Sequence, residues 1–289
     1  MEYTDFPIST LTKEEWPQAL LHIPEPPKQL FLRGACAPSG HKHLAVVGSR
    51  NYSDYGKQVV DYLIAGLRGY PISIISGLAR GMDTLAHKAA LDVGLHTLSV
   101  PGSGLSDKVL YPRQNLSLAH TILNSGGGLL SEYEPSFSAT IWSFPRRNRI
   151  MVGLADAVLL IEASEKSGTL ITARLTAEYN RDLLAVPGNI FAANSVGVHQ
   201  FIKLGATPVT APQDILDALH LEEYDHTLPG SHTYSDEEQM VINLLVAPKD
   251  HDTLIRALPL KEEQVIQLLM HMELDGKIRE QNGHFYRAT

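Results

Sequence analysis

Three arginines and an aromatic ring stand together in the stretch Phe144-Pro145-Arg146-Arg147-Asn148-Arg149. An arginine side chain presents a planar fork that grips phosphate oxygens in two places, and an aromatic ring stacks on a nucleobase of any sequence. Single-stranded nucleic acid offers both features. An arginine run at the start of a helix is also typical of a solvent-exposed surface, so the neighbouring motifs must decide between the two interpretations.

Glycine-containing segments that follow predicted strands supply a place for phosphate. Gly48-Ser49-Arg50 ends one strand, where Ser49 can donate to phosphate and the N-terminus of the neighbouring helix favours an anion. Ser167-Gly168-Thr169, preceded by Lys166, combines two hydroxyls, a flexible glycine and a lysine at the N-terminus of another helix. Both segments are equally typical of a tight turn or a helix cap without a ligand. Because the carboxyl ends of parallel strands share one edge of a sheet, their convergence there favours the phosphate interpretation.

A third segment, around Arg80-Gly81, follows another predicted strand. Gly77 and Gly81 lie four residues apart, so the amides of this loop could point at an anion. Asp83 is predicted to cap the next helix rather than to take part in catalysis, since an apolar-periodic helix starts directly after it. Arg80 and Gly81 are therefore the weaker candidates.

The sequence contains no convincing catalytic set and no metal motif. Ser131-Glu132 and Asp156 flank strands and can equally make structural hydrogen bonds. The 13 histidines lack the spacing, with nearby cysteine, of a structural zinc site. We therefore expect no catalytic residues, no metal and no cofactor.

The elements that must position these residues alternate between short apolar runs and amphipathic stretches. The runs, each too short for a typical helix, are 44–47, 72–75, 97–100, 129–133, 157–163 and 183–186. Such alternation predicts an α/β fold, an extended Rossmann-like, doubly wound and mostly parallel sheet covered by helices.

The chain divides into four predicted parts. Residues 1–40 are a short N-terminal segment packing on the core, and residues 41–220 are the Rossmann-like domain. Residues 221–232 lose apolar periodicity and are a linker. Residues 233–289 predict a small winged-helix domain, because three helical patterns precede a hairpin around Asn282-Gly283.

Charge and composition limit where a nucleic acid could bind and in which compartment. The net charge is −8, yet residues 41–220 hold 15 basic against 14 acidic side chains, whereas residues 231–289 hold 6 against 10. The site therefore belongs to the central region, and the acidic winged helix is not expected to read DNA. The single cysteine, Cys36, fits a reducing cytosol. No apolar run reaches the roughly 20 residues of a membrane span, so we expect a cytoplasmic protein.

Read together, these motifs resemble the DNA-processing protein A family. The resemblance covers about residues 6–219, some three quarters of the chain. It rests on the order and spacing of the segments 45–50, 76–84 with Ala86-His87, Tyr111-Pro112, Ser131-Glu132, 144–149, 167–170 with Thr172-Ala173, and 186–188.

The resemblance implies a protein that binds single-stranded DNA, forms a homodimer, protects incoming DNA and helps load the RecA recombinase in natural transformation. The DNA-contacting residues that it implies are Gly48, Ser49, Arg50, Arg80, Gly81, Phe144, Arg147, Asn148, Arg149, Lys166, Ser167, Gly168 and Thr169. Two departures matter: the segment before His41 is too short for the helical domain that many relatives carry, and the winged helix is acidic. The roles of those appended domains are therefore not carried over.

Two other functions stay open. The first is a nucleotide enzyme similar to the LOG-type phosphoribohydrolases, although Thr172 stands where their catalytic glutamate belongs and a hydroxyl cannot replace that carboxylate near neutral pH. The second is a nucleotide sensor that binds phosphate without catalysis. If the DNA-binding interpretation is right, Arg147→Ala and Arg149→Ala should weaken DNA binding far more than they destabilise the fold.

Overall fold

The structure is a computed structural model that describes residues 6–165, 167–221, 235–245, 248–274, 277–281 and 283–287. It divides into two compact units, Met1–Tyr224 and Asp225–Thr289. Each unit has its own apolar core. Within the described ranges, no helix is both long enough and apolar enough to cross a membrane.

A mixed sheet forms the centre of the first unit. Its strands are β1 (Ile8–Thr10), β2 (Phe31–Gly34), β3 (Lys42–Val47), β4 (Ile72–Ser76), β5 (His96–Ser99), β6 (Gly128–Ser131), β7 (Ala157–Leu160), β8 (Asp182–Ala185) and β9 (Thr207–Pro208). They lie in the order β1-β2-β6-β5-β4-β3-β7-β8-β9. Strands β3 to β9 pair in parallel, and β1 and β2 join antiparallel through β6. The predicted doubly wound fold is confirmed.

Helices cover both faces of this sheet. They are α1 (Asp54–Ala65), α2 (Met82–Asp92), α3 (Leu116–Asn124), α4 (Ser143–Leu154), α5 (Thr169–Glu178), α6 (Val196–Lys203) and α7 (Pro212–Ala218). Successive residues of β3 point to opposite faces of the sheet. Leu44 and Val46 pack in the core on one face, and Ala45 and Val47 pack in the core on the other. Burial on both faces explains why the strands read as continuous apolar runs.

The strand order places a topological switch at β3. The chain steps from β3 to β4 on one side and later returns to β7 on the other side. The loops that leave the carboxyl ends of β3 and β7 therefore turn to opposite sides of the sheet and leave a crevice between them. Ligands of doubly wound folds bind in such crevices.

The N-terminal segment does more than pack on the core, because β1 and β2 are strands of the sheet itself. Phe31 lies opposite Ser131 in the antiparallel pair of β2 with β6. These strands are only three and four residues long. Such short runs carry too little periodicity to be identified from the sequence.

The second unit contains α8 (Asp236–Leu244), β10 (Lys249–Asp250), α9 (His251–Ala257), α10 (Glu262–Leu274), β11 (Ile278–Gln281) and β12 (His284–Arg287). Its strands form an antiparallel sheet in the order β10-β12-β11. The helices and the hairpin occur in the predicted order, and the winged-helix assignment stays a prediction. The predicted linker 221–232, apart from Leu221, and the turn residue Asn282 lie outside the described residues.

Candidate nucleic-acid site

A pocket of about 620 Å³ lies at the carboxyl ends of β3, β4 and β7, at the switch point of the sheet. The loops after these three strands form part of its wall, and α4 and the start of α5 form the rest. Among the candidates from the sequence, the lining includes Gly48, Ser49, Arg50, Phe144, Arg147, Asn148, Ser167, Gly168 and Thr169. The structure thus brings together residues spread over more than a hundred positions of the chain.

Arg50 is the pocket cation with the greatest freedom to meet a ligand. Its side chain is exposed, and its guanidinium carbon lies 5.6 Å from the centroid of the Phe144 ring. It forms no hydrogen bond or ion pair with any residue that the structure describes. The guanidinium lies over the ring at cation–π distance, and its N–H groups remain available to phosphate oxygens.

The hydroxyl of Ser49, beside Arg50, is already engaged. Its Oγ donates to the carbonyl oxygen of Asn51 at 2.9 Å and accepts from the Asn51 amide at 3.1 Å. The predicted donation from Ser49 to phosphate would have to break the bond to Asn51. Ser49 therefore shapes the turn that presents Arg50.

The N-terminus of α1 does not offer its amides to a ligand as the sequence suggested. The buried carboxylate of Glu162 lies there, accepting from the Ser53 amide at 3.0 Å and from the Ser53 hydroxyl. Ser53 Oγ in turn accepts from the Gly56 amide at 3.1 Å. An internal anion thus occupies the place that the helix dipole would offer to phosphate.

The loop after β4 turns its amides toward a carboxylate of the protein. Asp83 Oδ2 accepts from the amides of Gly77 at 3.1 Å and Ala79 at 3.3 Å. Asp83 is therefore not the predicted N-cap, because the cap position of α2 is Gly81 and Asp83 lies in the first turn. Burial raises the pKa of the Asp83 carboxyl, and the nearby Arg147 guanidinium opposes that shift. This loop is part of the pocket wall, and the amides of Gly77 and Ala79 are occupied by Asp83 and not open to an anion.

Gly81 fixes the loops after β3 and β4 against each other. Its φ is +82°, and a Cβ there would come within 2.5 Å of the carbonyl oxygens of Ser49 and Arg50. The amide of Met82 donates to the Ser49 carbonyl oxygen at 3.1 Å. Only glycine allows this close approach in a left-handed conformation. Neither Gly81 nor the exposed Arg80 lines the pocket.

The loop after β7 is tied directly to the loop after β3. Thr169 Oγ1 donates to the Gly48 carbonyl oxygen at 3.1 Å. Ser167 Oγ donates to Thr169 Oγ1 at 2.9 Å and accepts from the Thr169 amide at 3.2 Å. Gly168 between them is exposed. Lys166, predicted to contact DNA, lies outside the described residues.

Arg147 is a buried residue, although the sequence suggested an exposed phosphate contact. It is 5% exposed, and its Nη1 donates to the carbonyl oxygens of Gly77, at 2.6 Å, and Val100. A side chain at Gly77 would overlap the guanidinium, so this glycine makes room for it. Burial lowers the pKa of Arg147, and Asp83 opposes that shift. The idea that the charged start of α4 is a solvent-exposed surface is wrong for this residue.

Asn148 receives its orientation from Arg147. The Nε of Arg147 donates to Asn148 Oδ1 at 3.1 Å. The amide oxygen is thereby occupied, and the Nδ2 group remains as a donor on the pocket wall. Arg147 thus positions a neutral donor beside the exposed guanidinium of Arg50.

Arg149 does not line the pocket, and its guanidinium lies with that of Arg146 at Glu132. It is 4% exposed, its Nη2 pairs with the carboxylate of Glu132, and its Nη1 donates to the Glu25 carbonyl oxygen at 2.6 Å. Burial raises the pKa of Glu132, and Arg149 opposes that shift. The buried pair contradicts the expectation that Arg149 is an exposed charge.

A second aromatic side chain of the pocket was not assigned a role from the sequence. The exposed ring of Tyr111 lies 5.5 Å from the half-buried Phe144 ring, which packs over Gly102. In the sequence, Tyr111 stood out only as part of the Tyr111-Pro112 dipeptide of the family resemblance. Exposed Ile141 and Ile171 also line the pocket. In the described ranges, no three histidine, cysteine or acidic side chains come together as metal ligands would.

The chain matches a known family over most of its length. The family described as DNA recombination-mediator protein A covers residues 7–220. Protein Smf of Escherichia coli is 37% identical over 283 residues, spanning 95% of this chain and 75% of that protein. DNA processing protein DprA of Streptococcus pneumoniae is 40% identical over 215 residues, spanning 74% and 75% of the two chains.

Two solved structures resemble this chain over about three quarters of its length. The crystal structure of DNA processing protein A from Streptococcus pneumoniae has a TM-score of 0.68 at 38% identity and covers 77% of each chain. The Helicobacter pylori protein, whose structure is described as giving insight into its single-stranded DNA binding mode, has a TM-score of 0.67 at 30% identity. That match covers 74% of this chain and 96% of the other.

Proposed function

This chain belongs to the DNA recombination-mediator protein A family, and from that membership we propose that it binds single-stranded DNA in the pocket at the carboxyl ends of β3, β4 and β7. One observation carries the proposal: the exposed Arg50 guanidinium lies over the Phe144 ring, beside the Tyr111 ring and the side-chain amide of Asn148. The Helicobacter pylori relative, described as binding single-stranded DNA, supports the choice of ligand.

The pocket recognises the backbone and the flat face of a base rather than a base sequence. Arg50 holds a phosphate, the Asn148 amide donates to a neighbouring oxygen, and the Phe144 and Tyr111 rings provide a stacking surface. Arg147 and the loop after β4 keep these groups in place. Stacking tolerates every base, so the expected sequence preference is small.

In the cell, we propose that the chain is a non-catalytic recombination mediator in the cytoplasm. It would protect incoming single strands and help load the RecA recombinase during natural transformation. The family description and the relatives named as DNA processing proteins support this role. RecA and a second copy of the chain are the proposed protein partners.

A salt titration tests the DNA proposal. A fifteen-nucleotide single strand should bind with an affinity that falls with salt, with a log-log slope of about −0.7 for each phosphate neutralised. The matched duplex should bind more weakly, because its bases are not available for stacking. Fluorescence anisotropy at a series of NaCl concentrations measures both. Binding that does not change with salt would rule out phosphate recognition.

The alternative is a nucleotide enzyme or sensor similar to LOG-type phosphoribohydrolases. Asp83 is the carboxylate among the described residues of the pocket wall, and two amides already hold its Oδ2. Thr172, at the position of the glutamate of those enzymes, presents a hydroxyl. In the same assay a mononucleotide that competes as well as the oligonucleotide would favour the sensor.

We propose that a second copy of the chain covers the outer face of α6. Ile190, 73% exposed, and Val196 line an open depression of about 530 Å³ there, and Leu204 is exposed at the end of the helix. Exposed apolar side chains around one depression are typical of protein interfaces. Self-association removes it from water and agrees with the dimer that the family resemblance implies.

Ile190→Glu is expected to convert the dimer to a monomer without unfolding it, because a carboxylate would be buried at the interface while the side chain is exposed in the single chain. Sedimentation velocity over a range of concentrations measures the state. Tyr62→Glu, an exposed aromatic residue of α1, is the control and should stay dimeric. A wild-type chain that sediments as a monomer at micromolar concentration would refute the assignment.

A further inference from the structure

Trp142 is a large aromatic side chain left half in solvent at the start of α4. It is 53% exposed and does not line the pocket, whereas the preceding residue, Ile141, does. Tryptophan is rarely left open to water without a partner, because its ring buries a large apolar surface. The exposed face of the ring is therefore available to a planar ligand.

The Trp142 ring is held in place from one side. The Tyr133 and Phe137 rings stack with centroids 4.5 Å apart, and the Trp142 ring lies 6.0 Å from Tyr133 in an edge arrangement and 5.7 Å from Phe137. Backbone bonds fix the loop that carries Phe137, since its carbonyl oxygen accepts from the Gly104 amide at 2.9 Å. A ring fixed in this way loses little entropy when a planar ligand stacks on it.

The geometry of α4 places Trp142 beside the pocket. Ile141, just before α4, lines the pocket together with Phe144, Pro145, Arg147, Asn148 and Met151 of the helix. Trp142 follows Ile141 and Arg146 follows Pro145, so these two side chains, four residues apart, lie together next to that edge of the pocket. The Arg146 side chain is half exposed, with its Nε 3.7 Å from Glu132. A stacking ring and a cation thus continue the surface that begins in the pocket.

The pocket volume of about 620 Å³ is that of a site that encloses one small ligand. A longer single strand must therefore leave it and cross the protein surface. We propose that the strand leaves past Ile141 and Pro145, so that Trp142 stacks on one of its bases outside the pocket and Arg146 contacts its backbone. This inference rests on the proposed function, and it adds a second stacking site for the same strand.

Tryptophan fluorescence tests this path, because the chain contains only two tryptophans and the other, Trp16, is 4% exposed. A long oligothymidine should quench the emission of the full-length protein, since a stacked base quenches an indole. A thymidine dinucleotide, which the pocket can enclose, should leave the emission unchanged. The long strand with abasic sites outside its pocket-bound end should bind with little quenching, because it keeps the phosphates and lacks the bases.

Variants provide the second arm. Trp142→Ala should weaken binding of the long strand on the order of ten-fold and leave dinucleotide binding unchanged, and Trp142→Phe should retain most of the affinity and lose the quenching. Melting curves of both variants check the fold, and Trp142→Phe keeps the aromatic cluster if the alanine variant is unstable.

If the long strand binds to wild-type protein without quenching, the path is wrong while the proposed function stands. If no strand binds, the proposed function fails first, and a surface for a protein partner would then be the explanation of Trp142.

Discussion

Arg149→Ala is expected to lower the free energy of unfolding by about 3–5 kcal/mol, the typical cost of removing one partner of a buried ion pair. After this change, the ion-pair partner of the buried Glu132 carboxylate among the described residues is Arg146, whose Nε lies 3.7 Å away. The Arg146 side chain is half exposed, so this pair is weaker than the buried one. The Glu25 carbonyl oxygen also loses its donor. The loss should appear in stability and not in the DNA affinity of the folded protein, since Arg149 lies outside the pocket.

Urea unfolding, followed by circular dichroism, measures the stability of this variant, and anisotropy measures its affinity under conditions where it is folded. The matched control is Arg149→Met combined with Glu132→Leu. That double variant should be more stable than Arg149→Ala, because it leaves no unpaired carboxylate in the interior. An Arg149→Ala protein that unfolds like the wild type but binds a single strand at least ten-fold more weakly would contradict this prediction. It would support the DNA contact that the sequence suggested for Arg149.

The fold could be predicted from the sequence because each central strand is buried on both faces. Continuous apolar runs such as 44–47 and 72–75 are what that burial requires, and they recur between amphipathic stretches. The site could be placed at one edge of the sheet because parallel strands bring their carboxyl ends together. Of the nine predicted contact residues that line the pocket, six lie at the carboxyl ends of β3 and β7 for this reason, and Phe144, Arg147 and Asn148 lie on α4.

The sequence was less informative about which way a charged side chain points. Arg147 lies three, four and seven residues before Ile150, Met151 and Leu154, all buried, so helical periodicity places it on the core side of α4. The periodicity was visible in the sequence, but the charge of Arg147 favoured the prediction of an exposed side chain. Arg149 could not be assigned in the same way, because its partner Glu132 belongs to a different element.

The anion sites at helix starts could not be judged from the sequence. Amides at the start of α1 and in the loop after β4 are already bound, by Glu162 and Asp83. Glu162 is more than a hundred residues from Ser53, so no local pattern connects them. Carboxylates of the protein thus occupy two of the predicted phosphate positions. Phosphate binding therefore depends on side chains that face the pocket.

Arg50→Ala is expected to have the largest effect on DNA binding among the exposed arginines beside the pocket. Arg50 lines the pocket with its guanidinium on Phe144, and loss of a charge-assisted hydrogen bond costs about 1.5–3 kcal/mol, or roughly ten- to a hundred-fold in affinity. The salt slope should become less negative by about 0.7, the contribution of one phosphate contact to a single strand. The melting temperature should change little, because the side chain is exposed.

Arg80→Ala is the matched control for this variant. Arg80 is also exposed and stands on the loop after β4, and it does not line the pocket. It changes the net charge of the protein by the same amount, so a purely long-range electrostatic effect would lower the affinity of both variants equally. Arg50→Lys separates charge from shape, because lysine keeps the salt slope but lacks the planar fork that rests on Phe144. Equal losses in Arg50→Ala and Arg80→Ala would mean that the strand follows the general field of this surface and that the pocket does not grip its phosphates.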